Sequence, residues 1–298
     1  MVKWFIVSRR QPGQTRERVF YEWAIIHVAL MLTTPTEMRK FRRYVQHFGI
    51  PGTDTKLPAH PLSNAQLVFP LSDEVWETVA DHWLDKPEHI FDVLQSRDYV
   101  QRMQPHSFTD PNGFITELME GEQLYAKDGF YSGGVKLFHF LRKRPDLSLD
   151  QFRNLLQDHA KVVLDAASAK GVVKKYVINW QLPMDNRNLR GSLFERAEVG
   201  AYAGIEELWF ESLEDLIQLR IDPEIYGAIR PSADRLADAG SFSMVAKERV
   251  VYDYVTPGHL SPPPSVLDPS SLEAALDRQG YLDWGNVLAQ LPTPTREP

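Results

Sequence analysis

The stretch that decides the fold is Phe20–His27, FYEWAIIH, because the chain repeats its pattern as FRNLLQDH at Phe152–His159. Both copies begin with phenylalanine and end with histidine, and they lie 132 residues apart (27 to 159). A tyrosine follows each histidine after 17 residues, at Tyr44 and at Tyr176. A self-similarity this long predicts two copies of one supersecondary unit rather than a solenoid, whose periods are shorter.

Apolar runs, helical spacing and turn residues predict the order β-α-β-β-α-β in each copy, which is the ferredoxin-like pattern of an α+β protein. In the first copy the predicted strands are 2–10, 39–48, 77–84 and 114–124, and the predicted helices are 16–32 and 87–103. In the second copy strands begin at 135 and near 175 and cover 204–210 and 242–252, while helices follow Ser148 and cover 213–220. The predicted domains are therefore 1–128 and 133–255. A Pro-rich tail, 256–298, would add one short helix that starts at Asp268.

The composition restricts the class of partner. The formal net charge is −7 and the pI is near 5.7, which argues against nucleic acid and against anionic membrane surfaces, because phosphates need a basic surface. The chain has no cysteine, so disulfides, thiolate metal sites and cysteine nucleophiles are excluded. No apolar run has the length of a signal peptide or a membrane span. These features indicate a cytoplasmic protein.

The second copy resembles the EthD-like branch of the dimeric α+β barrel superfamily, and the first copy resembles it more loosely. The resemblance rests on VKLFHFLRKRP at 135–145, on the Phe152–His159 stretch, on KYV at 175–177 and on YAGIEELWFESLEDL at 202–216. It implies that two ferredoxin-like units pair their sheets within one chain and form an intramolecular dimeric α+β barrel, a pseudo-dimer. Related barrels include cofactor-independent monooxygenases of aromatic polyketides, cyclases, muconolactone isomerases, aldoxime- or haem-linked enzymes, and accessory proteins without demonstrated chemistry.

His27 is the first candidate for catalysis. A histidine on an apolar helix is often a core residue that is hydrogen-bonded to backbone. The resemblance, however, implies a functional histidine at this helix position, and the second copy keeps it as His159. A titratable group in an apolar pocket is also what general acid–base chemistry requires.

Tyr44, His47 and Asp81 complete the predicted catalytic set. The Tyr44 phenol would donate to a substrate carbonyl or enolate, with His47 or Asp81 in support. Strand alternation places Tyr44 and His47 on opposite faces, so both can act only if a bulge re-aims one of them. Asp81 either points into the pocket or pairs with an arginine such as Arg43.

The predicted substrate-binding residues are aromatic or repeat a catalytic candidate: Trp4, Trp23, Trp83, Tyr176 and His159. No cofactor and no metal are predicted, because the spacings of His82, His89 and His106 match no common ligand pattern. Haem bound through one of the histidines is the alternative.

The sequence favours a cofactor-independent enzyme of the lyase, cyclase, isomerase or monooxygenase type. It would act by general acid–base chemistry on a hydrophobic aromatic or polyketide-like carbonyl compound in a barrel pocket. The alternative is a non-catalytic EthD-like ligand-binding or accessory protein of an oxygenase or degradation pathway. A homodimer of the pseudo-dimeric chain is also possible. An enzyme should show His27 at a cavity that contains a second polar group, whereas a binding module should show His27 satisfied by backbone.

Overall fold

The computed structural model describes residues 1–50, 69, 76–106, 108–168 and 170–256. The predicted tail helix from Asp268 and most of the Pro-rich segment between the second and third strands lie outside these residues. None of the helices in the described ranges combines the length and the apolar character needed to cross a membrane.

Each half contains four long strands and a layer of helices. The first half consists of β1 (Val2–Arg10), α1 (Arg16–Tyr21), the π-helix π1 (Glu22–His27), α2 (Val28–Leu32), α3 (Pro35–Lys40), β2 (Phe41–Gly49), β3 (Thr78–Leu84), α4 (Glu88–Leu94), the π-helix π2 (Tyr99–Met103) and β4 (Thr109–Ala126). The second half consists of β5 (Val135–Leu141), α5 (Leu149–Ser168), β6 (Val173–Gln181), a 3₁₀ turn (Asn186–Leu189), β7 (Glu198–Val199), β8 (Gly204–Phe210), α6 (Leu213–Ile221), α7 (Pro223–Leu236) and β9 (Phe242–Asp253).

Eight of the strands close into one antiparallel barrel. The order around the ring is β1-β3-β2-β9-β5-β8-β6-β4, and β4 also pairs with β1. The two halves join twice, where β2 pairs with β9 and where β4 pairs with β6. Short β7 adds to β4 outside the ring in parallel orientation. The prediction of two ferredoxin-like units that form an intramolecular pseudo-dimer is confirmed.

Alternation along each strand separates the barrel interior from two outer layers. The interior contains an apolar cluster that includes Phe5, Phe138, Phe140 and Met244. Outward-facing side chains pack under helices in two further clusters, one in each half of the chain. The helices thus cover the barrel from outside, and each half has its own space between helices and sheet.

The structure corrects the predicted elements in four places. The predicted helix 87–103 is divided into α4 and π2. The single predicted helix 16–32 is interrupted by π1, which displaces its buried face by one residue, so that Val28 rather than His27 is fully buried. Residues 39 and 40 end α3 rather than begin β2. The helix α7 follows α6 and was not predicted; its start at Pro223 is capped by the Asp222 side chain.

The connection between β6 and β8 folds over the opposite half. Its Leu193 and Phe194 reach the first helical layer, and the Phe194 ring lies 5.2 Å from the Trp4 ring. In return, Phe69 from the connection between β2 and β3 packs in the second helical layer, with its ring 4.8 Å from His139. Each half is therefore completed by a segment of the other.

Candidate active site between the first helical layer and the barrel

A cavity separates the two π-helices from the outer face of the first half of the barrel. It encloses about 510 Å³ of empty space, part of which opens to solvent. Its described walls are mostly apolar and aromatic, and His27 lies at the end of π1 while Tyr99 and Met103 come from π2. π-helical turns often mark functional sites because the extra residue re-aims side chains.

Three histidines line this cavity, and each has a buried ring nitrogen without a hydrogen-bond partner. These atoms are His27 Nδ1, His82 Nδ1 and His106 Nε2. The rings of His27 and His106 stack with 6.4 Å between their centroids. Since buried polar atoms are normally paired, the nitrogens of His27 and His82 are open to a polar ligand group, whereas His106 Nε2 has an acidic neighbour.

The histidines reach the cavity from three separate elements. Thr15 caps α1 by accepting a hydrogen bond from the Arg18 backbone amide (3.2 Å), and the helix then continues into π1, which ends at His27. Alternation along β3 turns His82 outward, towards the helices. His106 follows π2, and its Nε2 lies 3.5 Å from Glu22 Oε2.

Burial keeps two of these rings neutral. It lowers the pKa of His27 to about 3, and the nearby His82 and His106 lower that pKa further. Burial also lowers the pKa of His82 to about 3. Both imidazoles are therefore uncharged at neutral pH, when each offers one proton-accepting nitrogen.

Tyr44 packs against His82, a residue of this wall, without lining the cavity itself. Its ring stacks on His82 at 4.6 Å with an interplanar angle of 12°, and its hydroxyl accepts a hydrogen bond from Gln46 Nε2 (3.0 Å). Tyr44 is fully buried and does not line the cavity. Burial raises its pKa above the ordinary range for a phenol.

A second cleft opens at one end of the barrel interior. It encloses about 410 Å³ of empty space, including open solvent, and its walls are charged. Lys136 donates to Glu207 Oε2 (2.7 Å) and lies 2.6 Å from Glu248 Oε2. Lys3 donates to Glu207 Oε1 (2.8 Å). Asp81 also lines this cleft, and Trp83 Nε1 donates to it (2.9 Å).

The structure does not bring the predicted catalytic residues together. His27 belongs to the cavity outside the barrel, whereas His47 and Asp81 point into the barrel, so the predicted single barrel pocket is wrong. His47 Nδ1 contacts Val79 O (2.9 Å), and its Nε2 accepts from Lys136 (2.7 Å). The alternation that predicted opposite faces for Tyr44 and His47 is thereby confirmed.

The predicted substrate-binding residues are divided in the same way. Trp23 lines the outer cavity and Trp83 lines the barrel-end cleft. Trp4 is a core residue whose Nε1 donates to Thr116 Oγ1 (2.5 Å). Tyr176 and His159 lie in the second helical layer and touch neither cavity.

His82 and His106 were not among the predicted site residues. They lie 55 and 79 positions after His27 along the chain, so the three rings meet only because β3 and the end of π2 fold back onto π1. One signal in the sequence could have found His82. Because side chains alternate along a strand, an inward Asp81 places His82 on the outer face of β3, towards the helix that carries His27.

The described wall of the outer cavity does not fit haem. It contains histidine nitrogens that could hold an iron, but no lysine or arginine for the haem carboxylates, and buried charges need partners. We therefore derive no step through haem, and absorption in the Soret region would test this conclusion. Among the described residues, no group of three or more His, Asp or Glu is placed to hold a metal ion.

One solved structure supports the fold, and further structures align at lower scores. An anthrone oxidase-like protein aligns over 86% of this chain and 95% of its own, with a TM-score of 0.51 and 10% identity. A proposed monooxygenase from Fusobacterium nucleatum subsp. nucleatum ATCC 25586 aligns over 84% and 91% (TM-score 0.43, 5% identity). A chlorite dismutase variant from Candidatus Nitrospira defluvii aligns over 92% and 95% (TM-score 0.44, 11% identity). No curated protein shows significant sequence similarity to the chain.

The closed eight-strand ring and its outer helices define a dimeric α+β barrel protein with both units in one chain. Residues 144–240 match the EthD domain family. The match lies within the second half of the chain, where it confirms the predicted resemblance to that family.

Proposed function

We propose that the protein is a cofactor-independent enzyme that acts by general acid–base chemistry on a hydrophobic aromatic or polyketide-like carbonyl compound. The substrate would occupy the cavity between the π-helices and the barrel, with His27 as the catalytic residue. The single observation that carries the proposal is the unpartnered Nδ1 of a neutral His27 at a cavity that also holds His82 and His106.

The shape and chemistry of the cavity support this substrate class. Trp23, Tyr99, Phe108 and Phe194 offer aromatic surfaces, which suit a flat apolar ring system. The anthrone oxidase-like protein that shares the fold is named for an aromatic ketone, and this agrees with the proposed class. An ionic ligand is disfavoured here, because the described wall carries no lysine or arginine.

The common first step would be proton abstraction from the carbon next to the carbonyl. The C–H bond breaks, the proton goes to the His27 ring, and the electron pair moves to the carbonyl oxygen as an enolate. A low pKa makes His27 a weak base in the empty cavity, but the negative charge that develops on the substrate stabilises the imidazolium beside it. His82 or His106 would donate a hydrogen bond to the enolate oxygen.

The pair His106–Glu22 would accept the abstracted proton through a bridging water, since the His27 and His106 rings stack with 6.4 Å between their centroids. Glu22 accepts from Arg18, whose side chain is 49% exposed, and it lies 3.5 Å from His106 Nε2. Return of the proton to a different carbon gives an isomer. Ring closure, elimination of a leaving group or reaction of the enolate with O₂ would instead give a cyclase, a lyase or a monooxygenase.

Hydrogen–deuterium exchange tests the first step without knowledge of the final product. In anthrone the acidic hydrogens are on the methylene carbon, which is conjugated with the carbonyl through the two rings and so also gives an enolate-type oxyanion. These hydrogens should exchange in D₂O faster when the protein is present, as measured by proton NMR. His27→Gln should lower this catalysed rate by about 10² to 10⁴-fold, the usual worth of a general base. His89→Gln is the matched control, because His89 is buried in α4 and does not line the cavity.

Two other outcomes would decide against the proposal. Binding of anthrone with no catalysed exchange would favour the alternative, an EthD-like ligand-binding or accessory protein. An exchange rate that His27→Gln leaves unchanged would place the base elsewhere.

A further inference from the structure

The barrel-end cleft is built from residues that the two halves of the chain contribute in pairs. Lys3 on β1 corresponds to Lys136 on β5, and each is the strand partner of a tryptophan, Trp83 or Trp209. The four side chains stay close, since the Lys3 ammonium lies 4.7 Å from the Trp83 ring centre and the Lys136 ammonium 3.9 Å from the Trp209 ring centre.

A second pair of cations breaks this symmetry. Arg43 on β2 and Lys175 on β6 occupy equivalent positions opposite the same two tryptophans. Arg43 Nε lies 3.2 Å from Asp253 Oδ2, and Asp253 is the residue paired with Arg43 across β9. The residue paired with Lys175 across β4 is Ala126. Lys175 therefore lacks the cross-strand carboxylate that pairs with Arg43.

Lys175 is the cleft cation without an ion pair. Among the described residues, no carboxylate forms a salt bridge with Lys175, whereas Lys3, Lys136 and Arg43 each have one. Burial lowers the pKa of Lys175 to about 8, and the nearby Arg43, Lys136 and Lys3 lower it further, against Glu248, which raises it. A half-buried cation beside three others is unfavourable unless an anion joins it.

The cleft also presents a buried acid to its interior. Asp81 Oδ1 is buried and has no hydrogen-bond partner. Burial raises the pKa of Asp81, and Glu207 raises it too, while Lys3 lowers it. Gly121 keeps the floor open, because a Cβ at this position would lie 2.9 Å from Lys3 Cε and 3.1 Å from Asn179 Oδ1.

We propose that the barrel-end cleft binds a small organic carboxylate, with Lys175 as the cation that pairs with it. The ligand's carboxylate would take the place that Asp253 has beside Arg43, and Trp209 and Val177 would contact its apolar body. This site is distinct from the His27 cavity, since Asp81 and His82 point to opposite faces of β3.

Benzoate is a suitable probe, and titration followed by tryptophan fluorescence or calorimetry measures its affinity. The wild-type protein should bind benzoate and not benzamide, its neutral analogue. Lys175→Met should weaken benzoate binding at least about tenfold, because a hydrogen bond to a charged group is lost. Lys174→Met is the matched control, since Lys174 is the next residue on β6 and pairs with Glu211 instead.

Ala126→Asp tests the same idea without removal of the lysine. It supplies Lys175 with the carboxylate that Arg43 already has, so the internal carboxylate should compete with benzoate and weaken its binding by a similar factor. Affinity of the wild-type protein should also fall as the pH rises through about 8, where Lys175 loses its charge. The other charged groups that face Lys175 are Arg43, Lys3, Lys136, Asp81, Glu207 and Glu248. All of them are present in this wild-type measurement, so its result does not depend on the folding of any variant.

Several results would overturn the proposal. These are the absence of saturable benzoate binding, equal affinity for benzamide, equal affinity of Lys175→Met and the wild type, or binding of inorganic phosphate without binding of benzoate. Benzoate binding that His27→Gln abolishes would also overturn it, because the ligand would then occupy the other cavity.

Discussion

The two helical layers begin from the same sequence pattern and treat the repeated histidine differently. In the second half, Glu206 Oε2 lies 2.9 Å from His139 Nδ1 and 3.8 Å from His159 Nε2. In the first half the equivalent of Glu206 is Ala80, and His27 Nδ1 has no partner. One half pairs its buried histidines with a carboxylate, whereas in the other burial is the main cause that lowers the pKa values of His27 and His82. The histidine repeated at this helix position thus faces a carboxylate in the second layer and a cavity in the first.

The strand register shows how small this change in sequence is. The cross-strand pair His139–Glu206 of β5 and β8 is replaced by Ile6–Ala80 in β1 and β3. The second layer is also more tightly filled, because His159 is fully buried and its Nδ1 contacts Ser232 Oγ (2.7 Å) on α7. Divergence of a repeat thus produced a polar core in one half and a cavity in the other.

The largest expected effect comes from removal of the carboxylate in the second half. Glu206→Ala should lower the free energy of unfolding by about 3 to 5 kcal/mol, because His139 and Tyr176 lose a buried charged partner. Glu206→Gln, which keeps an acceptor of the same shape, should cost less. Denaturant unfolding measures both. A loss below about 1 kcal/mol for Glu206→Ala would show that this network does not stabilise the second half.

Transfer of the carboxylate to the first half should remove the contrast. Ala80→Glu places an acid beside the outer cavity, and a negative charge there should raise the pKa of His27 from about 3 towards its ordinary value of 6.5 or above. NMR titration of the His27 ring protons measures this shift. Ala80→Gln is the neutral control and should leave the pKa low. An unchanged pKa in Ala80→Glu would mean that the missing carboxylate is not what separates the two halves.

The repeat and the two β-α-β-β-α-β units could be predicted because they depend on local patterns, whereas the barrel was predicted from the family resemblance. Phe20–His27 and Phe152–His159 reveal the duplication, and alternation correctly placed Tyr44 and His47 on opposite faces of β2. The π-helix that ends at His27 could not be predicted, since its hydrogen bonds differ from those of an α-helix without a distinctive residue pattern.

The sequence also could not predict that the candidate residues are divided between two cavities. His82 and Asp81 are neighbours in the chain, yet one faces the helices and the other faces the barrel. The pairing of Ala126 with Lys175 depends on where β4 crosses from one half to the other, which only the register shows. Long-range register, rather than local propensity, decides these contacts.

The first-half histidines should make the protein sensitive to mild acid. The folded-state pKa of His82 is about 3 and its ordinary value is 6.5, so the unfolded state binds more protons between these values, and stability falls as the pH drops from 6.5 towards 3. At about pH 5 the cost from His82 alone should be about 2 kcal/mol. Glu206, whose pKa is lowered to about 2, loses its contribution only below 4.5.

Denaturant unfolding at several pH values tests whether the contribution of His82 is lost at a higher pH than that of Glu206. His82→Gln should show a shallower decline in stability between pH 6.5 and 4.5 than the wild type. Phe41→Leu is the control, because it perturbs the ring packed 4.8 Å from His82 without removing a titratable group. Equal slopes in His82→Gln and the wild type would assign the acid sensitivity to other groups.

The smallest expected difference lies at the starts of the two equivalent helices. Ser148 and Gln151 form a reciprocal capping box, in which the Gln151 amide donates to Ser148 Oγ (3.1 Å) and the Ser148 amide donates to Gln151 Oε1 (2.8 Å). Thr15 receives one bond, because Arg18 takes the place of the reciprocating residue. Ser148→Ala should therefore cost about 1 kcal/mol and Thr15→Ala a few tenths less. Equal losses of stability in denaturant unfolding would show that the second hydrogen bond of the capping box adds nothing. The better-formed cap would then not explain why α5 continues as one regular helix while α1 turns into π1.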